Sequence, residues 1–234
     1  MRKLIALSAL TASLLTALPA HADPIADARA ASQRGDYPTM LKIMRPLAEQ
    51  GNAMAQGVMG QAYARGEGVA PDLAESAKWY KLSAAQGSAW SQTTLGSMYA
   101  QGEGVAVDFT EAARLFKLSA AQGHHLGQLN LGMLYLDGKG VPRDDAQAAK
   151  WFRMAAAQGL PKAQYNLGMM YGSGQGLPVM RTRAFMWIDL SASSGLAPAV
   201  KTRDEYLGQM KPEELAEARK MERECVERKF KGCD

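Results

Sequence analysis

Residues 123–158 read GHHLGQLNLGMLYLDGKGVPRDDAQAAKWFRMAAAQ, and this stretch recurs with modest changes on both sides of itself. Gly51, Gly87, Gly123 and Gly159 open successive copies, each 36 residues after the last, so the units run 51–86, 87–122, 123–158 and 159–194. Self-similarity at a fixed period of this length marks an array in which each unit buries its apolar face against the next.

In each unit the first half reads as a helix, because residues such as Ala163, Leu167, Met170 and Tyr171 recur at the spacing of one helical face. Tyr63, Tyr99, Tyr135 and Tyr171 share one column, and three residues before each stands a glycine: Gly60, Gly96, Gly132 or Gly168. Glycine inside a helix costs about 1 kcal/mol relative to alanine, so this column predicts a neighbour that must approach closely. Paired glycines, from Gly66/Gly68 to Gly174/Gly176, end the first helix and allow a left-handed cap with a tight turn.

An apolar plug follows at Val69, Val105, Val141 and Leu177. Asp72, Asp108 and Asp144 then stand where a second helix begins, as short acids able to accept from its free amides. Met180 fills this column in the fourth unit, so that cap is lost. The inward face of the second helix carries alanine and a bulky pair: Ala77 with Trp79/Tyr80, Ala113 with Leu115/Phe116, Ala149 with Trp151/Phe152, and Phe185 with Trp187/Ile188. Trp151 is expected in the core on this reading.

The columns A-Q-x-N-L-G-x-x-Y-x-x-G-x-G-V followed by D-x-x-x-A-x-x-W-x-x-x-A-A-x-Q-G resemble the Sel-one-like repeat (SLR) family, an offshoot of the tetratricopeptide-type helical hairpins. The resemblance covers residues 51–194 and departs from the pattern at Gly57, where the other units carry Thr93, Leu129 and Tyr165, and at Met180, Ser193 and Ser194. It implies an all-α superhelical solenoid of about four 36-residue hairpins used for protein recognition. Some secreted members of the family have been proposed to act on cell-wall material. The alternative function is therefore a secreted enzyme acting on cell-wall or β-lactam-like material.

Outside the repeats, residues 1–22 carry Arg2 and Lys3, an apolar run from Leu4 to Leu18 and the small-residue ending Ala20-His21-Ala22, the pattern of a cleaved secretory leader. The run is interrupted by Ser8, Thr11, Ser13 and Thr16 and falls short of the roughly 20 apolar residues a membrane span needs. Export to the periplasm or beyond is the expectation. The net charge of +4 becomes +2 without the leader, 25 basic against 23 acidic residues. That balance argues against a nucleic-acid partner, which calls for a dense basic stripe.

Residues 23–50 read as an N-terminal capping hairpin, with Pro46 expected to kink or split its second helix. Residues 195–234 read as C-terminal capping helices, one over Ala197 to Met210 and one over Pro212 to Arg228 with Leu215, Ala218, Met221 and Cys225 on its apolar side. Cys225 and Cys233 are the only cysteines, and in an exported chain they are expected to pair across the Lys231-Gly232 break and staple the tail to the last helix.

No catalytic constellation, metal set or cofactor motif is expected. His124 and His125 are adjacent at a turn with no zinc-like partner spacing, and a solvated turn is the expectation. Glu67 and Glu103 occupy a loop column that becomes Lys139 and Gln175, again a solvated position. The Gly-Glu-Gly-Val loops lack the preceding strand and the Lys-Ser/Thr of a phosphate cradle.

Superposing the glycine and tyrosine columns on the tetratricopeptide pattern assigns a concave helix face to five columns per unit. In units two to four that face carries Trp90, Leu126, Leu129, Met133, Tyr165 and Met169; its basic residues are Arg65 in the first unit and Lys162 in the fourth, and Asp137 in the third is acidic. Apolar residues and methionines at such positions either line a groove for a partner segment or pack on the neighbouring helix. The expected partner is a protein or peptide, with Arg65 and Lys162 selecting against basic ones.

Overall fold

A computed structural model describes residues 23–233; the predicted leader, residues 1–22, lies outside the described residues. Among the described residues there are twelve helices and no strand. They run α1 Pro24–Gln33, α2 Tyr37–Glu49, α3 Ala53–Arg65, α4 Leu73–Ala85, α5 Ala89–Gln101, α6 Phe109–Ala121, α7 His125–Asp137, α8 Asp145–Ala156, α9 Pro161–Ser173, α10 Arg181–Ser193, α11 Ala197–Leu207 and α12 Pro212–Glu227. From α1 to α11 each helix packs on its sequence neighbours, and α12 passes α11 and folds back on α10, so the chain is an α-solenoid.

The glycine column explains the close packing inside each hairpin. A Cβ placed on Gly96 would stand 2.7 Å from Phe116 Cε1, one on Gly132 2.7 Å from Phe152 Cε1, and one on Gly168 2.7 Å from Ile188 Cγ1. The bulky side chain of the second helix thus lies flat on the bare backbone of the first. The second glycine of each loop performs the same task between units, since a Cβ on Gly104 or Gly140 would enter the carbonyl of Leu73 or Phe109 at the start of the previous unit's second helix.

Helix ends follow the acids. Asp72, Asp108 and Asp144 each accept from the amide three residues on at 2.9 Å, whereas Met180 provides no side-chain cap. Pro46 does not split α2, which runs unbroken from Tyr37 to Glu49. The proline lies in the last turn, where its missing amide removes only the bond to the Lys42 carbonyl, and its own carbonyl still accepts from Gln50 at 3.0 Å.

A polar seam that the sequence reading missed joins the hairpins. Gln56, Gln92, Gln128 and Gln164 are buried, and their Nε2 atoms donate to the carbonyls of Ala48, Ala84, Ala120 and Ala156 on the preceding unit's second helix. The first three accept in turn from Gln86, Gln122 and Gln158 at 2.7 to 2.8 Å. A buried amide left unpartnered costs about 1 to 3 kcal/mol, so the seam fixes how each hairpin sits on the last.

The bulky pairs are not uniformly core. Tyr80, Phe116, Phe152 and Ile188 are buried, but Trp79 and Trp151 are only partly so. This corrects the expectation for Trp151, whose ring carries the Lys150 ammonium 5.7 Å above it on the outer side. Trp187 in the same column is 1% exposed, because the C-terminal tail covers it. That tail is held by the Cys225–Cys233 disulfide, with Cα atoms 5.1 Å apart, and Phe230 packs over Gly159. Leu215, Ala218, Met221 and Cys225 face inward as expected.

Candidate functional site: a concave cleft between α7, α9 and α11

The first helices of successive units line one side of the solenoid, and the apolar residues assigned to that side are for the most part open to solvent. Trp90, Leu126, Met133 and Met169 are 38 to 41% exposed, large values for side chains of this kind. Leu129 is different: at 6% exposed it belongs to the core that includes Phe152 and Leu167, so for this residue the alternative of packing on the neighbouring helix is the one observed.

Trp90 answers both of the alternatives posed for the stripe. Its ring meets Tyr80 edge to face, with centroids 5.4 Å apart, and covers the backbone at Gly57, where a Cβ would be 3.0 Å from Trp90 Cζ3. The departure from the repeat at Gly57 therefore makes room for the next unit's tryptophan, while the rest of its ring stays in solvent.

Four of the predicted residues come together. A cleft of about 360 Å3 is lined by Leu129, Met133, Lys162 and Tyr165, joined by Asn130, Asn166, Leu196 and Pro198. Leu129 forms part of its floor, and Tyr165 is positioned by a 3.4 Å contact between its hydroxyl and Thr202 Oγ1 of α11. Asn130 Nδ2 donates to Ser97 Oγ at 3.4 Å, which is long for an amide donor to oxygen, and Asn166 Nδ2 donates to Met133 Sδ at 3.4 Å, an ordinary distance for the larger sulfur. Sequence reasoning missed the two asparagines although they fill the N column of the repeat motif, and it missed Leu196 and Pro198 because they lie beyond the last unit.

The other predicted residues lie apart. Trp90 and Leu126 start α5 and α7 outside the cleft lining, and Met169 lies farther along α9. Arg65 lies at the end of α3 and pairs with Glu67 at 3.5 Å, so its charge is compensated within its own loop. Glu67 also accepts from Gln61 at 3.1 Å and its side chain is only 13% exposed, which corrects the expectation of a solvated carboxylate. Glu103 is exposed as expected, since Ser97 replaces the glutamine in that unit.

His124 is likewise not a solvated turn. Its Nδ1 lies 3.0 Å from Thr93 Oγ1, which lies 2.6 Å from Ser119 Oγ, and Ser119 donates to the Ala89 carbonyl at 2.8 Å. Burial first, and then the neighbouring His125, lower the imidazole pKa. Thr93 and Ser119 are both buried, so this chain of hydroxyls ties the second unit to the third.

A stack of helical hairpins whose first helices present a partly exposed apolar stripe, with no second domain among the described residues, defines an α-solenoid repeat scaffold. The Sel1 repeat profile matches residues 53–88, 91–124, 125–160 and 161–196, and the chain belongs to the Sel1 repeat family. Sel1 repeat proteins are generally protein-interaction scaffolds. Among solved structures, a protective antigen present in uropathogenic Escherichia coli strains, with an SLR fold, is similar at 31% identity and a TM-score of 0.80 over 90% of this chain. The chain spans about half, 47%, of that antigen's length. A Sel1 repeat protein from Oxalobacter formigenes is 28% identical with a TM-score of 0.74, covering 79% of this chain and 76% of that one. An immunity protein from Pseudomonas aeruginosa shares the fold at 18% identity and a TM-score of 0.53, over 92% of this chain and 84% of its own. No curated protein sequence matches the chain.

Proposed function

We propose that the protein is an exported scaffold of the bacterial envelope that captures a segment of a partner protein on its concave face and serves as an adaptor or regulator. The observation that carries this reading is the cleft between α7, α9 and α11, where methionine, tyrosine and leucine meet two asparagines and a lysine. Large adaptable apolar groups with a few polar groups that fix orientation are the composition of a recognition site. An oxidising compartment is supported by the Cys225–Cys233 disulfide and by the leader-like pattern of residues 1–22. No helix among the described residues is long and apolar enough to cross a membrane.

The test is affinity capture from an envelope extract with the immobilised protein and with a Met133→Ala/Tyr165→Ala variant. Neither side chain is fully buried, so the variant should keep its helical circular dichroism and lose the captured partner. Large anchors at the centre of an interface each contribute about 2 kcal/mol or more. Unchanged capture by a folded variant would move the binding surface elsewhere, first to the charged outer face of α12.

A further inference from the structure

We infer that the cleft reads an extended partner segment in which a large apolar side chain is followed or preceded, within two positions, by an aspartate or glutamate. This rests on the reading of the cleft as a partner-binding site and names the chemistry of what it takes.

Charge supplies the first part of the argument. Of the three charged residues in the concave columns, Arg65 is compensated by Glu67 at 3.5 Å and Asp137 by Lys139 at 3.1 Å. Lys162 has no carboxylate partner among the described residues, and no acidic side chain lines the cleft. The site therefore offers one uncompensated positive charge at the edge of an apolar floor.

The asparagines supply the second. Asn130 and Asn166 occupy the same column of successive units, and neither side-chain oxygen has a hydrogen-bond partner among the described residues. Each amide offers a free acceptor, and Asn130 a weakly engaged donor besides, which suits a main-chain peptide group. Both asparagines line the one cleft with Leu129, Met133 and Tyr165 between and around them, and an extended chain advances roughly 3.3 Å per residue. Peptide groups a few residues apart can thus address both asparagines while a side chain between them is directed at Leu129, Met133 and Tyr165.

The acid is assigned to a side chain rather than to a chain end because apolar surface lies on both sides of Lys162, at Leu126 and Trp90 on the preceding units and at Leu196 and Pro198 beyond it. A bound segment therefore runs on across the neighbouring units instead of terminating at Lys162.

The experiment uses two phage libraries of random nonapeptides, one displayed internally and one with a free carboxyl terminus, selected on the wild-type protein and on Lys162→Glu and Lys162→Gln variants. The internal library should enrich a large apolar residue with Asp or Glu within two positions. Lys162→Glu should replace that preference with Lys or Arg and weaken wild-type-selected acidic peptides by about tenfold, the scale of reversing an exposed charge pair. Lys162→Gln should keep the apolar preference and lose the acidic one. Enrichment of apolar peptides with no acidic preference, or an acidic preference that survives Lys162→Glu, overturns this inference and leaves the binding reading standing. Enrichment confined to free carboxyl termini overturns the assignment to a side chain, and absence of any enrichment in either library overturns both readings.

Discussion

Replacing Gly132 by alanine sets two effects of opposite sign against each other. Helix propensity alone favours alanine by about 1 kcal/mol at an interior position. The structure puts Phe152 Cε1 2.7 Å, Cδ1 2.8 Å and Cζ 3.2 Å from where the new methyl would be. Carbon atoms rest at about 3.5–4.0 Å, so the ring must retreat by roughly 1 Å. Phe152 is fully buried and has no solvent side to retreat to. Overpacking of this kind costs typically 1–3 kcal/mol, so Gly132→Ala should destabilise by a net amount of about 0–2 kcal/mol.

Urea unfolding followed by helical circular dichroism provides the assay, with the midpoint compared at constant slope. The alanine should be tolerated in a Phe152→Leu background, where the smaller side chain leaves room, and the double-mutant cycle should show coupling of about 1 kcal/mol or more. Gly57→Ala is the control. Its nearest neighbours would be Trp90 Cζ3 at 3.0 Å, on a ring that is 40% exposed, and Ser91 Oγ at 3.2 Å, a looser fit than at Gly132, so the smaller steric cost should roughly cancel the propensity gain and leave that change close to neutral. Stabilisation by Gly132→Ala in the wild-type background would refute the account of the glycine column.

Three further outcomes are expected. The Glu222 carboxyl is pushed up to about 7 by burial and by the Asp189 carboxylate that it meets across α10 and α12, with Arg219 and Arg223 opposing. The folded chain then holds a proton that the unfolded chain has released, so stability should fall as pH rises from about the ordinary carboxyl value to about 7; in thermal melts Glu222→Gln should flatten that slope, and an unchanged slope would assign it to other groups. Reducing Cys225–Cys233 should lower the midpoint of unfolding by the equivalent of about 2–3 kcal/mol for so short a loop, Cys225→Ser should abolish that sensitivity, and both thiols free in the exported protein by mass mapping would contradict it. Phe152→Ala should cost about 3–5 kcal/mol and Trp151→Ala, at a partly buried position, about half as much; equal costs in urea unfolding would contradict the difference in their burial.

The repeat was legible because its columns each answer to one physical need. Gly132 is bare where Phe152 lies on it, Asp144 caps where amides are free, and Gly138 and Gly140 turn where the chain must. Depth was less legible than direction. Column counting puts Leu129 on the concave side, but only the neighbouring helices decide that it sinks to 6% exposure while Met133, one turn on, stays open. Trp151 and Trp187 share a column, and the tail that covers one and not the other is tied down by a disulfide far along the chain.

The site was legible in part for the same reason. Met133 and Tyr165 announce themselves as departures from a polar face, whereas Asn130 and Asn166 look like ordinary members of the motif. Their grouping into one cleft needs Leu196 and Pro198, contributed by a helix that no longer follows the repeat. The His124–Thr93–Ser119 chain was invisible because its members are up to 31 residues apart and no motif spacing joins them.

The central claim is that the concave cleft, and not the outer surface, holds the partner. Site-specific photo-crosslinking in intact cells tests it most directly, with a benzophenone side chain placed at Met133 in the cleft or at Leu118, a comparably exposed position on the second helix of another unit. The account predicts a discrete crosslinked protein from position 133, lost on Tyr165→Ala, and none from position 118. Crosslinking from position 118 with none from position 133 would contradict it.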